Sequence, residues 1–460
     1  MTVAPPPAEG FELRIETLIV GSGACGMVAA LAAAEAGQEV LVLERDPVPA
    51  GSTALSAGLI PAAGTTQQAL AGIEDRPALF AGDIQRKAKG EADPGLVAAL
   101  TGAAPETVAW LTDGLGLPLT LVTDFDYPGH SRRRMHGLPD RSGAALVDRL
   151  RQLCEDRGIP IVCERHVHTL CADGARVAGV VARRPDGTDE AIGCGRLILA
   201  CNGYGGNPDR VAREMPRIAG ALYFGHAGNR GEALDWAEAL GLETAHLGAY
   251  QGHGNVAHPH GILITWAVIT EGGVQINAEG HRFWDESQGY SEAARAVLAQ
   301  PGGTAVTVFD DRIAGIAAQF ADFRAAEAQG AIRRAGTPEA LAEAFGLPPS
   351  AVAETLAAAE AARVAGTPDA YGRRFTGDDP LAPPYCGVRV TGALFHTQGG
   401  IAIDPQGRVR RRTGGVMPNL FAAGGAAVGV SGSGDFGYLS GNGLLSAVVM
   451  GHIAGRATTE

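Results

Sequence analysis

Residues 13–26 read LRIETLIVGSGACG, and this stretch decides the fold of the chain. Leu13–Val20 is a short apolar run rich in β-branched residues, which predicts a buried strand. The alanine-rich stretch Met27–Ala36 favours a helix, and a second apolar run, Glu39–Leu43, predicts another strand. Strand, glycine turn, helix and strand together predict a βαβ unit, and therefore an α/β fold.

The glycine turn has the spacing of a dinucleotide-binding motif. Gly21, Gly23 and Gly26 form a GxGxxG, in which the glycines serve a tight turn, close approach to a pyrophosphate and helix–strand packing. The N–H groups at the start of the following helix favour phosphate. Glu44 ends the second predicted strand, where a carboxylate accepts hydrogen bonds from ribose hydroxyls. We predict a bound ADP-containing dinucleotide, and the alternative is a purely structural glycine turn.

The loop after Glu44 indicates which dinucleotide is bound. Residues 45–58, RDPVPAGSTALSAG, are small and rich in hydroxyls, which suits an extended FAD; the alternative is an ordinary surface loop. We expect cofactor contacts from Gly21, Gly23, Ala24, Cys25, Gly26, Glu44, Arg45, Ser52, Thr53, Ser56 and Gly58. A second GxGxxG, Gly432–Gly437, has no long helix directly after it and no acid-tipped strand. We therefore expect a loop that lines an active site, and one bound dinucleotide.

Length and composition exclude several classes of protein. A chain of 460 residues exceeds the size of a single hydrophobic core, so we expect more than one domain. The 37 basic and 50 acidic residues give a net charge of −13, which argues against binding nucleic acid. No uninterrupted apolar run is long enough for a membrane span, and Met1–Ile15 lacks the apolar core of a signal peptide. The seven cysteines form no CxxC. These features predict a reduced, cytoplasmic chain.

The remaining sequence predicts further elements and one separate inserted domain. We predict helices at Gly143–Arg157 and Gly443–Ala457, and strands at Ile161–Cys163, His166–Leu170, Val177–Ala182, Arg196–Ala200, Gly387–Leu394, Ile401–Asp404 and Asn419–Ala423. From about Ala314 to Val364 the chain becomes rich in Ala, Glu and Arg, which favours helices. We take residues 251–385 as the inserted domain.

Four segments resemble the flavoproteins related to soluble fumarate reductase and the 3-ketosteroid dehydrogenases. They are Gly21–Gly58, Leu199–Gly206, Phe395–Gly400 with the strand after it, and Leu420–Ala457. The segments occur in the family's order and extend over most of the chain. The resemblance implies a Rossmann-like FAD-binding domain formed by residues 1–250 and 386–460, with an inserted α+β capping domain at residues 251–385. The reacting carbons would lie between the cap and the flavin ring.

Cofactor contacts are also expected outside the first motif, at Val167, Asn202, Gly203, Gly425, Leu444 and Leu445. By resemblance, the start of the last helix would face the flavin pyrimidine, where the helix dipole stabilises an anionic reduced flavin. Gly425 stands where relatives commonly carry an acid that grips the ribityl chain. Residues Ser52–Ser56 contain no histidine, which covalently flavinylated relatives have, so we expect non-covalent FAD.

Two tyrosines stand where the resemblance places the substrate-binding arginines of fumarate reductases. Tyr290 follows Asn277–Glu286, and Tyr438 precedes Gly441-Asn442. A guanidinium fork matches a carboxylate, so these tyrosines argue against a dicarboxylate substrate. The segment Tyr438-Leu439-Ser440 is instead similar to the Tyr-x-Ser of 3-ketosteroid Δ4-(5α)-dehydrogenases, which also have a tyrosine near the position of Tyr290.

We therefore predict an FAD-dependent dehydrogenase that introduces a C=C bond α,β to the ketone of a steroid or smaller cyclic ketone. Hydride would leave the β carbon for flavin N5, a proton would leave the α carbon, and the enolate-like oxygen would need hydrogen-bond donors. Tyr290 and Ser440 would handle the proton, and Tyr438 would polarise the ketone. His396, at the family's active-site histidine, would bind substrate oxygen, and Tyr127 would be a third pocket phenol. The alternative for these tyrosines is packing, and for His396 a structural role.

Other assignments stay open. The reaction could run backwards, as an enone reductase with a separate electron donor, or the chain could be a non-catalytic flavin-fold binding protein. The missing histidine and the two tyrosines disfavour a subunit of a membrane complex, and the electron acceptor is unknown. His253, His258 and His260 lack a nearby cysteine or a helical i, i+4 pair, so we predict no metal site. Arg132–Arg134 predicts a solvated face rather than a phosphate contact.

Overall fold

The computed structural model describes residues 1–375 and 379–458. The chain divides into two compact units. The first unit contains Met1–Glu214, Phe224–Tyr250 and His396–Glu460, and the second contains Met215–Tyr223 and Gln251–Phe395. These units differ from the predicted domains at residues 215–223 and 386–395, and the division into functional domains stays a prediction.

The main sheet of the first unit positions the glycine turn. Among the described residues its strand order is Thr2–Ala4, His166–Ala172, Val177–Arg183, Asp189–Leu199, Leu13–Val20, Val40–Leu43 and Ile161–Val162, with Val416–Ala422 also beside Asp189–Leu199 and Arg408–Arg410 beside Val416–Ala422. Val20 pairs with Leu43 in parallel register. Because Gly21 and Glu44 directly follow these two residues, the turn and the carboxylate lie at the same edge of the sheet.

Helices and small sheets complete the first unit. The α-helices are Ala24–Glu35, Thr66–Leu70, Pro77–Lys87, Pro94–Ala109, Gly143–Asp156, Pro208–Glu214, Glu232–Ala239, Asn442–Leu444 and Met450–Arg456, with π-helical turns at Trp110–Gly114 and Leu445–Val449 and 3₁₀ turns at Ser52–Leu55, Gly424–Ala426 and Asp435–Gly437. Two small sheets pair Ile60–Pro61 and Thr120–Leu121 with Met135–Gly137, and Thr244–Ala245 with Gly400–Ile401. A Cβ at Gly455 would lie 2.5 Å from the carbonyl oxygen of Ala29, so glycine lets the last helix approach the first one closely.

The predicted βαβ unit is confirmed, with small differences at the ends of its elements. The first strand is Leu13–Val20, as predicted. The helix begins at Ala24 rather than Met27, because Gly23 is its extended N-cap and Ala24-Cys25-Gly26 already form the buried first turn. The predicted last helix, Gly443–Ala457, instead has three sections with a π-helical turn in the middle. Such turns insert one residue into a helix and occur often at functional sites.

The second unit combines a sheet with helices. Its strand order is Ile262–Leu263, Tyr250–Ala257, Tyr385–Thr397, Thr304–Asp310 and Val274–Ile276, and Leu222–Tyr223 and Ile332–Ala335 also pair with Tyr385–Thr397. Its helices are Ala267–Thr270, Tyr290–Leu298, Asp311–Ala317, Ala321–Ala328, Pro338–Phe345 and Pro349–Ala365, with 3₁₀ turns at Pro216–Ile218, Glu286–Gln288 and Pro301–Gly303. The strand Ile332–Ala335 was not predicted within the helical region, because its central arginines are exposed and give no apolar signal.

Residues 1–375 and 379–458 lack two features, a membrane-spanning helix and a metal-binding cluster. No helix there is both long and apolar enough to cross a membrane. Those residues also contain no group of three His, Cys, Asp or Glu side chains that could hold a metal ion.

Candidate active site

The three glycines of the first motif differ in whether the fold leaves room for a side chain. A Cβ at Gly26 would overlap the carbonyl oxygen of Gly21, and a Cβ at Gly21, where φ is +104°, would lie 2.5 Å from the carbonyl oxygen of Ala200. A Cβ at Gly23 would meet only Thr53 Oγ1, at 3.6 Å. The fold therefore requires Gly21 and Gly26, while Gly23 leaves open space at the helix start, which fits the close approach of a pyrophosphate.

Glu44 is fixed beside this turn by backbone and hydroxyl donors. Its Oε2 accepts from Ser22 N at 2.8 Å and from Ser22 Oγ at 2.6 Å, and its Oε1 accepts from Asp46 N at 3.0 Å. A carboxylate has about four lone-pair positions, two on each oxygen, so Oε1 keeps capacity for a further donor. This buried carboxylate therefore fits the ribose of a dinucleotide.

The loop after Glu44 is folded back onto the turn. Ala24 N donates to Thr53 Oγ1 at 3.2 Å, and Ser56 Oγ donates to Thr53 O at 2.7 Å and accepts from Gly58 N at 3.1 Å. Ser52 Oγ accepts from His226 N and Asn229 Nδ2. Three of the predicted loop residues, Thr53, Ser56 and Gly58, are therefore connected to the glycine turn by hydrogen bonds.

Arg45 lies near a second carboxylate, Glu232, that the sequence did not single out. Arg45 Nη1 forms an ion pair with Glu232 Oε1 at 3.2 Å. Val167 is buried in its strand, and the preceding His166 places Nε2 3.9 Å from the same Glu232 oxygen. Arg45 therefore has a protein partner that restrains its orientation at this side of the predicted dinucleotide site.

Asn202 explains why residue 425 is glycine. Asn202 has φ +63°, and its Oδ1 accepts from Gly203 N at 2.8 Å. A Cβ at Gly425 would overlap that Oδ1 and lie 3.0 Å from His396 Nε2. The structure thus brings Asn202, Gly203, Gly425 and His396 together, and an acid at position 425 would collide with the Asn202 side chain.

Cys25 has a packing role in the motif. Its thiol is buried, and a Cβ at Gly424 would lie 3.3 Å from Cys25 Sγ. Burial raises the pKa of Cys25 to about 12, so the side chain stays a neutral thiol. Any contact of Cys25 with phosphate would therefore come from its backbone N–H.

The start of the last helix carries polar atoms that need a partner. Asn442 Oδ1 and Ser446 Oγ are buried, and among the described residues they have no hydrogen-bond partner. Buried polar atoms are rarely left unpaired, so a bound polar group fits this place. The flavin ring system of FAD carries both N–H and C=O groups. Of the two predicted contacts here, Leu445 is fully buried and Leu444 is partly exposed.

Tyr438 presents a neutral phenol beside this helix start. Burial raises the pKa of Tyr438 to about 12, against the opposing effect of hydrogen bonds from the backbone N–H groups of Gly443 and Gly441. The phenol is therefore protonated at neutral pH. A Cβ at Gly443 would lie 3.8 Å from Tyr438 Oη, 3.9 Å from His396 Nδ1 and 4.0 Å from Gln398 Nε2. Three hydrogen-bonding side chains thus surround one small space, and Gln398 was not predicted.

Ser440 is anchored by a histidine that the sequence analysis missed. His130 Nε2 donates to the Ser440 carbonyl oxygen at 2.9 Å. Arg134 Nη1 lies 3.4 Å from His130 Nδ1 and forms ion pairs with Asp83 at 2.6 Å and, through Nε, with Asp75 at 2.9 Å. The backbone of the Tyr438–Ser440 segment is therefore fixed by a buried charged network.

The prediction of a solvated arginine face was wrong for Arg134. All three side chains of the Arg134–Asp75–Asp83 cluster are fully buried. Burial raises the pKa of Asp83, but hydrogen bonds from Ser131, Arg86 and Arg134 outweigh it and hold the pKa at about 2. Arg132 and Arg133 are exposed, as predicted.

Tyr127 has mainly apolar neighbours in the structure. It packs against Leu59, Val122 and Met135, and its ring meets Phe125 edge-on at 4.9 Å. Burial raises its pKa. These contacts favour the packing alternative for Tyr127, although its loop also contains His130, which binds Ser440.

Tyr290 belongs to the second unit and lies in an aromatic cluster there. It is the first residue of the helix Tyr290–Leu298. Its ring stacks on His253 at 5.1 Å and lies 6.4 Å from Trp266. His253 Nδ1 accepts from Asn255 N at 3.2 Å, and burial lowers its pKa to about 3. Tyr290 therefore lies against a neutral imidazole, and His253 serves packing.

A buried ion network fixes the turn before Tyr290. Glu286 is fully buried and accepts from Arg282 Nε at 2.9 Å, Arg373 Nη1 at 3.1 Å and the backbone N of Gln275 at 3.0 Å. Both arginines are thereby neutralised within the second unit. Glu286 therefore has a structural role close to Tyr290 in sequence.

The sheet, the glycine turn and the acid at its edge define a Rossmann-like dinucleotide-binding flavoprotein. The FAD binding domain family matches residues 16–444, and the chain belongs to this family. A probable fumarate reductase of Shewanella frigidimarina is 30% identical over 97% of this chain and 75% of its own length.

Solved structures give the same fold over almost the whole chain. A flavocytochrome c3 fumarate reductase in an open conformation superimposes with a TM-score of 0.82 at 29% identity, over 98% of this chain and 78% of that one. The 3-ketosteroid-Δ4-(5α)-dehydrogenase of Rhodococcus jostii RHA1, in complex with 4-androstene-3,17-dione, has a TM-score of 0.81 at 23% identity, over the full length of both chains. The latter likeness concerns the fold alone.

These comparisons establish the cofactor and the general class of reaction. The chain is an FAD-dependent oxidoreductase that acts on carbon–carbon bonds. The alternative of a non-catalytic flavin-fold protein is therefore dropped. The expected Rossmann-like fold with an inserted capping domain is confirmed at the level of the family.

Proposed function

We propose that this chain is an FAD-dependent dehydrogenase that introduces a C=C bond α,β to a ketone of a steroid or smaller cyclic ketone. The observation that carries the proposal is the neutral Tyr438 phenol beside His396 at the start of the last helix. Bound FAD supplies the two-electron acceptor for the hydride that leaves the β carbon.

Tyr438 is suited to polarise a ketone. Its phenol is neutral at pH 7 and therefore carries a hydrogen that can be donated to a carbonyl oxygen. A donor aimed at an oxygen that becomes enolate-like stabilises the transition state more than the ground state. In the proposal, Tyr290 and Ser440 handle the α proton and relay it to solvent, because a phenol with the ordinary pKa of about 10 is already protonated at neutral pH.

The polar groups at this site favour an uncharged substrate. Tyr438 and His396 are both neutral at pH 7, because burial holds their pKa values at about 12 and about 4. Nearby Arg134 is already paired with Asp75 and Asp83. A dicarboxylate would need cations to offset its desolvation. The ketosteroid ligand of the Rhodococcus jostii enzyme carries uncharged ketone oxygens.

The reverse direction is the second candidate, because a curated relative is named for a reduction. An enone reductase would use the same donors, since both directions pass through the same enolate-like state. Anaerobic photoreduction followed by enone addition separates the two candidates. Rapid reoxidation by enone, together with no bleaching by the saturated ketone, would identify the reductase.

The test of the proposal is Tyr438→Phe, with Tyr204→Phe as the matched control. Both tyrosines are buried, but the Tyr204 hydroxyl donates to the carbonyl oxygen of Leu247 instead. We expect Tyr438→Phe to lower kcat for a cyclic ketone by about 10²-fold, the usual cost of losing one donor to an oxyanion. Tyr204→Phe should retain turnover. Equal turnover in Tyr438→Phe and the control would contradict the proposed role.

A further inference from the structure

Four buried or partly buried side chains form a continuous hydrogen-bond chain that ends at His396. Asn442 Nδ2 lies 3.1 Å from Ser431 Oγ, Ser431 Oγ lies 2.8 Å from Gln398 Oε1, and Gln398 Nε2 lies 2.8 Å from His396 Nδ1. Ser431 and Asn442 are fully buried, and Gln398 is 3% exposed. His396 is partly buried.

The chain has a direction. Ser431 Oγ accepts the amide N–H of Asn442, so its own hydrogen goes to Gln398 Oε1. The amide nitrogen of Gln398 must then face His396 and donate to Nδ1. A neutral imidazole that accepts at Nδ1 carries its hydrogen on Nε2. At the other end, Asn442 Oδ1 is left as a buried acceptor, which fits an N–H group of the bound cofactor.

We infer that Gln398 is a positioning residue that fixes His396 in the Nε2–H tautomer, so that His396 donates a hydrogen bond to the carbonyl oxygen of the substrate. The inference rests on the proposed function for the identity of that oxygen, but not for the tautomer. Nε2 of His396 lies on the Gly425 side of the ring, and Nδ1 faces the small space next to Gly443 that Tyr438 also lines.

Gln398→Glu tests this assignment with almost no change of shape. A glutamate at this position still accepts the Ser431 hydroxyl, but it has no N–H to donate to His396 Nδ1. His396 must then place a hydrogen on Nδ1. Gln85→Glu is the control, because Gln85 also donates through its amide, to the carbonyl oxygen of Ala92, and is partly buried.

The first measurement is the ¹⁵N spectrum of the histidine-labelled holoprotein at pH 7, with His396→Asn used to assign the His396 signals. We expect a bare Nδ1 and a protonated Nε2 in the wild type and in Gln85→Glu, and a protonated Nδ1 in Gln398→Glu. A protonated Nδ1 in the wild type, or an unchanged His396 signal in Gln398→Glu, would overturn the inference. This readout does not depend on turnover.

The second measurement is turnover of a cyclic ketone by the same variants. Gln398→Glu should lower kcat by about 10²-fold, the cost of losing or misdirecting one donor, while Gln85→Glu should keep wild-type turnover. If the tautomer changes but kcat does not, donation to the substrate is refuted. If the wild type turns over no ketone while the tautomers are as expected, the proposed function fails and the role of Gln398 as the residue that sets the tautomer stands.

Discussion

Replacement of Gly23 by alanine should separate FAD binding from folding. The new Cβ would meet only Thr53 Oγ1 at 3.6 Å, so the protein itself accommodates it. Gly23 is the N-cap of the first helix, where exchanging glycine for alanine costs less than about 1 kcal/mol. A methyl group between the backbone and the pyrophosphate should cost about 1–3 kcal/mol as overpacking. That corresponds to an FAD dissociation constant raised roughly 5- to 150-fold.

Two further variants make this prediction specific. In Gly26→Ala the Cβ overlaps the carbonyl oxygen of Gly21, so the apoprotein should lose stability as well as FAD. In Gly82→Ala the Cβ has no neighbour within 4 Å, so neither property should suffer. FAD titration of apoprotein by fluorescence quenching gives the affinity, and urea unfolding gives the stability. Wild-type FAD affinity in Gly23→Ala would refute the assignment of this turn to the pyrophosphate.

Other predictions concern buried charge and pH. Arg134→Met leaves two buried carboxylates, Asp75 and Asp83, without a cationic partner. It should lower the free energy of unfolding by about 3–5 kcal/mol in urea titrations. Adding Asp83→Asn should restore part of the lost free energy of unfolding. If nothing is recovered, the unpaired buried carboxylates are not the cause of the loss. Stability should also fall as the pH drops from about 6.5 to about 4. Burial holds the pKa of His130, His136, His396 and His452 at about 4 against an ordinary 6.5, so the unfolded chain binds more protons in that range. A melting temperature that stays constant across this range would contradict the prediction.

The nucleotide-binding half could be predicted because its signals are local in sequence. Gly21 and Gly26 are five residues apart, and both positions require glycine because any side chain there would overlap nearby backbone. Glu44 directly follows a strand that pairs with the strand before the turn, so its position at the sheet edge follows from the alternation of elements. Short exposed strands such as Ile332–Ala335 give no such signal.

The residues that hold the active-site segments in place could not be predicted, because their contacts join positions far apart in sequence. His130 and Ser440 are 310 residues apart in the chain, and Arg134 and Asp83 are 51 apart. An arginine in a run of three looks solvated unless its buried carboxylates are known. Gln398 follows His396 by only two residues, but its effect on the imidazole depends on Ser431 and Asn442, which come from another segment.

The central claim is that neutral donors meet a ketone oxygen next to bound FAD. The most direct test mixes oxidised holoprotein, without oxygen, with a saturated steroid 3-ketone and in parallel with succinate, and follows the flavin absorbance. We predict that the ketone bleaches the flavin and that succinate leaves it unchanged. Bleaching by succinate with an inert ketone would contradict the account.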